Sequence, residues 1–151
     1  MLSATTGWVA GAGVGAAGAR AKGAGHTPPQ GDVLLGARIL VVEDEFVVAA
    51  LIEDRLQAFG CEVIGPAADI EAALDLARSA APDAAILDVN IAGRLVFPVA
   101  DALAEDGVPF LFATAYGPAG IAPQHAGRTV LGKPYSDAAL EQSLRALLSA
   151  R

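Results

Sequence analysis

The sequence predicts an α/β protein built on a doubly wound five-stranded parallel sheet, and three observations carry that prediction. Five short apolar runs recur along residues 37–151. The segments between them change to helical period. Each run is cut off at its C-terminal end by polar residues or glycine. Continuous apolar runs, rather than alternating ones, imply a sheet covered by helices on both faces. Right-handed crossovers between successive parallel strands then wind the chain into an open sheet.

The elements follow in order. Arg38–Val42 (RILVV) reads as a buried strand that stops abruptly at Glu43, Asp44 and Glu45. Residues 46–59 place Val48, Ile52, Leu56 and Phe59 on one helical stripe, and Gly60 ends the helix. Cys61–Gly65 is a second strand. Ile70, Leu74 and Ala77 mark a second helix with Asp69 as its N-cap. Residues 84–88 (AAILD) form a third strand ending in Asp88, and Leu95–Glu105 a third helix with Pro98 in its first turn. Pro109–Thr114 is the fourth strand. Residues 117–127 hold two prolines and three glycines and support only a short or frayed helix. Arg128–Gly132 is the fifth strand. A last helix covers Asp137–Leu148, with Leu140, Leu144 and Leu147 or Leu148 facing inward.

Composition divides the 151 residues into two materials. Residues 1–36 contain nine of the 17 glycines and a single acid, Asp32, and are expected to be a flexible Ala/Gly-rich segment. Residues 37–151 contain the other 16 acids against eight bases and are expected to form one domain. Gly13, Gly15 and Gly18 spell a dinucleotide-type G-x-G-x-x-G, but no strand precedes it, and His26, Pro28 and Pro29 leave no room for the helix that should follow. The acidic balance excludes a nucleic-acid surface. No apolar stretch approaches the length of a membrane span, and a cytoplasmic protein is the simplest expectation. The lone Cys61 excludes an intrachain disulfide and reads as a buried structural thiol. His26 and His125 lie far apart among Gly and Pro and make a poor metal pair.

In a doubly wound sheet the C-terminal strand ends share one rim, where ligands bind. Four of those ends carry Glu43 and Asp44, Asp88, Thr114, and Lys133 followed by Pro134. Singly, each has an ordinary use: the acids could cap a helix, Asp88 could be a solvated turn residue, Thr114 could satisfy a loop amide, and Lys133 could pair with any carboxylate. Together they make a chemistry. Carboxylates crowded in one cleft hold charge at a cost, and a hard divalent cation such as Mg²⁺ relieves it. A lysine balances charge and holds a phosphoryl oxygen, a hydroxyl donates to another, and a carboxylate can accept a phosphoryl group.

The motifs ILVVEDE, LDVN, FAT and GKP, in this order, resemble the receiver domain of two-component response regulators over about residues 37–150. The resemblance implies the flavodoxin-like receiver fold with strand order 2-1-3-4-5. It also implies Asp88 as phosphoacceptor, with Glu43, Asp44, Asp88 and the backbone carbonyl of Asn90 as the Mg²⁺ site. Lys133 matches the family's lysine, its peptide bond to Pro134 corresponds to one usually cis, and Thr114 matches the switch hydroxyl. The implied partners are a sensor histidine kinase and a histidine phosphotransfer protein, with phosphotransfer rather than ordinary enzyme turnover as the activity. Val130 stands where many receivers have a switching aromatic, and Tyr116 is the candidate to take part of that role. The loop after Asn90 lacks the common Pro-Gly. PFLFATAYG is similar to an alphaproteobacterial subgroup with Phe-Ala-Thr-Gly-x-Tyr, often served by atypical sensor histidine kinases. With no output domain after Leu148, the expectation is a single-domain response regulator in a phosphorelay. The alternative is a receiver-fold binding module that works without phosphorylation.

Overall fold

The computed structural model describes residues 32–150. The Gly13–Gly18 motif and His26 lie outside the described residues. The chain forms β1 (Arg38–Val42), α1 (Phe46–Ala58), β2 (Glu62–Ala67), α2 (Ile70–Ser79), β3 (Ala84–Asp88), a two-rung hairpin of β4 (Asn90–Ile91) and β5 (Arg94–Leu95), α3 (Phe97–Glu105), β6 (Phe110–Thr114), β7 (Val130–Gly132) and α4 (Asp137–Ser149). The main sheet is parallel in the order β2-β1-β3-β6-β7. This is the doubly wound order expected, counting the five sheet strands alone.

Strand alternation divides the core. Leu40, Val42, Ala85, Leu87, Phe110 and Phe112 pack with the buried faces of α2 (Ile70, Ala73, Ala77) and α3 (Val99, Ala100, Leu103). Ile39, Val41, Ile86 and Leu111 alternate to the other face, where α1 buries Ala49, Ile52 and Leu56 and α4 buries Leu140, Leu144 and Leu148. An Arg55–Asp137 ion pair joins α1 to α4. The central strands β1, β3 and β6 are buried almost throughout, which explains why they carry no polar alternation.

Local signals work as anticipated. Asp69 Oδ1 accepts from the Ala72 N–H at 2.8 Å, capping α2, and Ser136 Oγ does the same for Ala139 at the start of α4. Gly60, at φ 90°, closes α1 with two hydrogen bonds: the Cys61 N–H donates to the Leu56 carbonyl and the Gly60 N–H to the Gln57 carbonyl. Cys61 is buried. The core stripe of α1 is turned slightly from the expected one: Ala49 replaces Val48, and Phe59 is only half-buried.

Four segments depart from the sequence reading. The second strand spans Glu62–Ala67 rather than Cys61–Gly65. Leu95 does not open the third helix. It pairs with Asn90 in the small hairpin, and α3 starts at Phe97 with Pro98 in its first turn. Residues 117–127 form no α-helix. They make two single turns of 3₁₀ helix, Pro118–Gly120 and Pro123–His125, each opened by the proline that would break a longer helix. The fifth strand starts at Val130 rather than Arg128.

Edge strand β2 contains a register shift against β1, Leu40 pairing with Ile64 but Val42 with Ala67. Gly65 sits in that irregularity at φ 94°, and a Cβ there would lie 2.8 Å from the Ala67 nitrogen and 3.1 Å from the Val41 carbonyl oxygen. Both are backbone atoms of paired strands and cannot yield cheaply. Gly107, at φ 72°, has open space around it. Gly65→Ala is therefore expected to destabilise the domain by about 3 kcal/mol and Gly107→Ala by only about 1 kcal/mol. Urea unfolding of the two variants checks the ranking.

Candidate phosphoacceptor and metal site

Glu43 is the first residue past β1 and is buried, 2% exposed. It is tied to the sheet by its own N–H, which donates to the Ala67 carbonyl at 3.0 Å. Its side chain has a donor for each oxygen: Oε1 accepts from Lys133 Nζ at 2.9 Å, and Oε2 from the Glu45 N–H at 3.1 Å. Lys133 follows β7, held by its N–H to the Thr114 carbonyl at 2.9 Å. Its ammonium also lies 3.6 Å from Asp88 Oδ2, at the end of β3. The Lys133–Pro134 peptide is cis, as the resemblance implied.

Glu43, Asp44 and Asp88 each present a carboxylate oxygen such that all three lie within 4.8 Å of one another. Asp44 is exposed, and its Oδ2 accepts from the Ala92 N–H at 2.9 Å, hooking the β4–β5 hairpin to the site. Asn90 begins that hairpin, and its Oδ1 accepts from the Gly93 N–H at 2.9 Å. Ala92 and Gly93, at φ 53° and 84°, make the turn. Thr114 is buried at the end of β6, one register beyond the Asp88–Ala113 pair, and its Oγ1 accepts from the Tyr116 N–H at 3.1 Å. Tyr116 itself is exposed, 77%, and its ring is not packed into the rim. Val130 is half-buried against the core.

The electrostatics follow from this crowding. Asp88 is pushed up to about 6, first by burial and then by the negative charge of Glu43, against the opposing pull of Lys133 and the Val89 N–H. Burial pulls Lys133 down, but its hydrogen bond to Glu43 and the charges of Asp88 and Glu43 outweigh that and leave it raised. Burial likewise raises Tyr135. The arrangement can hold a hard cation through oxygen donors, since Glu43, Asp44 and Asp88 each bring one carboxylate oxygen to a common space.

Sequence reasoning did not find the Ala92 hook on Asp44, because a backbone N–H leaves no residue-type signal. It also did not find the pairing of His125 with Asp101, described below; the only sequence signal was an isolated histidine between two turn-forming segments.

Two outcomes follow from the site. In the folded chain the Asp88 pKa lies above the ordinary carboxylate value, so its ionisation opposes folding. Stability from this group is greatest at acid pH and falls as pH rises through about 6. Asp88→Asn is expected to stabilise the metal-free protein at pH 7.5 by about 1 kcal/mol after solvent screening, a Tm rise of about 4 °C, and to have a smaller effect at pH 4.5. Thermal melts in a chelator at both pH values check this. Lys133→Met leaves Glu43 buried without its cation and is expected to lower stability by about 3 kcal/mol, partly recovered when Glu43→Gln is added. Urea unfolding of the single and double variants measures both.

The family model for the response regulator receiver domain matches residues 39–145. The probable transcriptional regulator ycf27 of Cyanophora paradoxa is 33% identical over 117 residues, covering 74% of this chain and 48% of that protein. The chain spans about half the length of the curated relatives it matches. Among solved structures, SdrG from Sphingomonas melonis Fr1 aligns with a TM-score of 0.67 at 35% identity, over 76% of this chain and 98% of that one. The receiver domain of the sensor histidine kinase PA1611 from Pseudomonas aeruginosa PAO1, solved with a magnesium ion coordinated in its active site cleft, gives 0.67 at 27% identity over 76% and 98%. With the strand order, the rim of acids and the match over residues 39–145 in agreement, this chain belongs to the response regulator receiver domain family.

Proposed function

We propose that this protein is a response regulator that accepts a phosphoryl group on Asp88 from a phosphohistidine of a partner kinase or phosphotransfer protein. The observation that carries the reading is Lys133 bridging Glu43 and Asp88 beside the exposed carboxylate of Asp44. An Asp88 oxygen attacks phosphorus in line, forming the O–P bond as the histidine N–P bond breaks, and the histidine leaves to be protonated by solvent. The Lys133 ammonium faces the oxygens of the transferred group while Glu43 holds it in place. The Thr114 hydroxyl can exchange its bond with the Tyr116 N–H for donation to a phosphoryl oxygen.

Glu43, Asp44 and Asp88, with the Asn90 backbone carbonyl, are the residues that would hold Mg²⁺, which when bound neutralises the carboxylates and the phosphoryl oxygens. The run FATAYG supports placing the chain near the alphaproteobacterial Phe-Ala-Thr-Gly-x-Tyr receivers, with Ala115 where that pattern has glycine. An atypical sensor histidine kinase is then the partner of choice.

The valine at position 130 and the Asp44 carboxylate already hooked by Ala92 favour a second reading, a receiver fold that binds its partner without phosphorylation. Incubation with a small phosphodonor and Mg²⁺, followed by intact mass, separates the two. We expect an adduct of about 80 Da that is lost in Asp88→Asn and in chelator. No adduct, or one that survives Asp88→Asn, overturns the phosphoacceptor reading.

A further inference from the structure

Between Thr114 and Val130 the chain crosses residues 115–129 without a strand or an α-helix. The backbone hydrogen bonds of 117–128 close turns inside the segment: Ile121 to Pro118 at 3.1 Å, His125 to Ala122 at 2.9 Å, Ala126 to Pro123 at 3.2 Å and Arg128 to His125 at 3.0 Å. None of these ties 117–128 to the sheet; the first ladder bond comes at Thr129, whose carbonyl accepts from the Phe112 N–H at 3.0 Å. Within residues 115–129 His125 is the one buried side chain, 3% exposed.

Its surroundings are specific. Nε2 lies 2.7 Å from Asp101 Oδ1 on α3; an ionised carboxylate only accepts, so Nε2 carries the hydrogen. The ring stacks on Phe97, with centroids 6.2 Å apart and planes 24° apart, and meets Phe110 and Phe112 edge-on at 5.5 and 6.0 Å. Nδ1 is buried with no hydrogen-bond partner. An unpaired buried polar atom, donor or acceptor, penalises the closed state relative to an open one in which water reaches it. Phe110, Phe112 and Thr114 alternate onto the same face of β6, so the surface on which the imidazole rests continues to the Thr114 hydroxyl.

We propose that His125 is a latch: residues 117–128 open and close as one unit by withdrawing or seating the imidazole in the Phe97–Phe110–Phe112 socket, and this equilibrium is coupled to Thr114 on the same strand face. The segment opens without unpairing the sheet, because no ladder hydrogen bond of 117–128 has to break. The latch stands on packing and hydrogen bonding alone and does not require Asp88 to be phosphorylated.

Native-state amide exchange of the full chain tests it. His125→Ala is expected to speed exchange over residues 117–128 by about tenfold, and Asp101→Ala, which removes only the exposed partner, by a smaller factor. The Tyr116 amide, held by Thr114, accelerates with the segment, while amides of β1 and β3 do not outpace the global change measured by urea. Exchange rising equally in the sheet, or unchanged over 117–128 in both variants, overturns the latch. An unchanged Tyr116 amide overturns the coupling to Thr114.

Discussion

A carboxylate that is almost wholly buried at the end of β1 must be met by a cation, and in this domain the cation comes from beyond the farthest strand. Lys133 follows the edge strand β7, yet its ammonium passes the ends of β6 and β3 to reach Glu43, touching Asp88 on the way. The pair spans the sheet at its C-terminal rim. Its geometry fixes where Asp88 can sit, holds the lysine head over the space between the acids, and leaves Asp44 outward as the accessible carboxylate. A buried pair of this kind adds little net stability, since desolvation offsets the attraction, but loss of one partner is severe. Its contribution is to position charge.

The second constraint is the hairpin that follows Asp88. Ala92 and Gly93 turn the chain so that one backbone N–H faces Asp44, while Asn90 satisfies the Gly93 N–H from within the turn. The Val96 N–H then returns to the Val89 carbonyl at 2.8 Å, so that α3 departs from a closed loop. The Ala92 N–H thereby fixes the orientation of Asp44, the exposed member of the acid cluster.

The sheet and the acids were legible because both leave residue-type signals. RILVV, AAILD and PFLFAT are apolar without alternation, as strands covered on both faces must be, and Glu43, Asp44, Asp88 and Lys133 stand where those runs or their partner strand stop. The helix caps at Asp69 and Gly60 were equally readable, since their chemistry is local. What escaped was set by tertiary contact or by backbone. Leu95 looks like a helix residue until Asn90 claims it in a two-rung ladder. Residues 117–127 carry no period because single side chains, the buried His125 imidazole and the half-buried Ile121, attach them to the body rather than an apolar stripe. The roles assigned to Asp88, Lys133 and Thr114 rest on the matched motifs and on this geometry together.

The distance along the chain between Glu43 and Lys133 bears on how the domain assembles. The contact joins residues 90 positions apart, so the loop-closure entropy it must overcome is among the largest the fold can present. During synthesis β1, β3 and their helices emerge well before Lys133 does. Until β7 docks, the Glu43 carboxylate has no cation and resists being buried, so the rim stays hydrated while the other end of the sheet packs. The acid cluster thus reaches its final arrangement only once nearly the whole domain has been made, and a chain cut short before β7 carries the acids without the lysine that organises them.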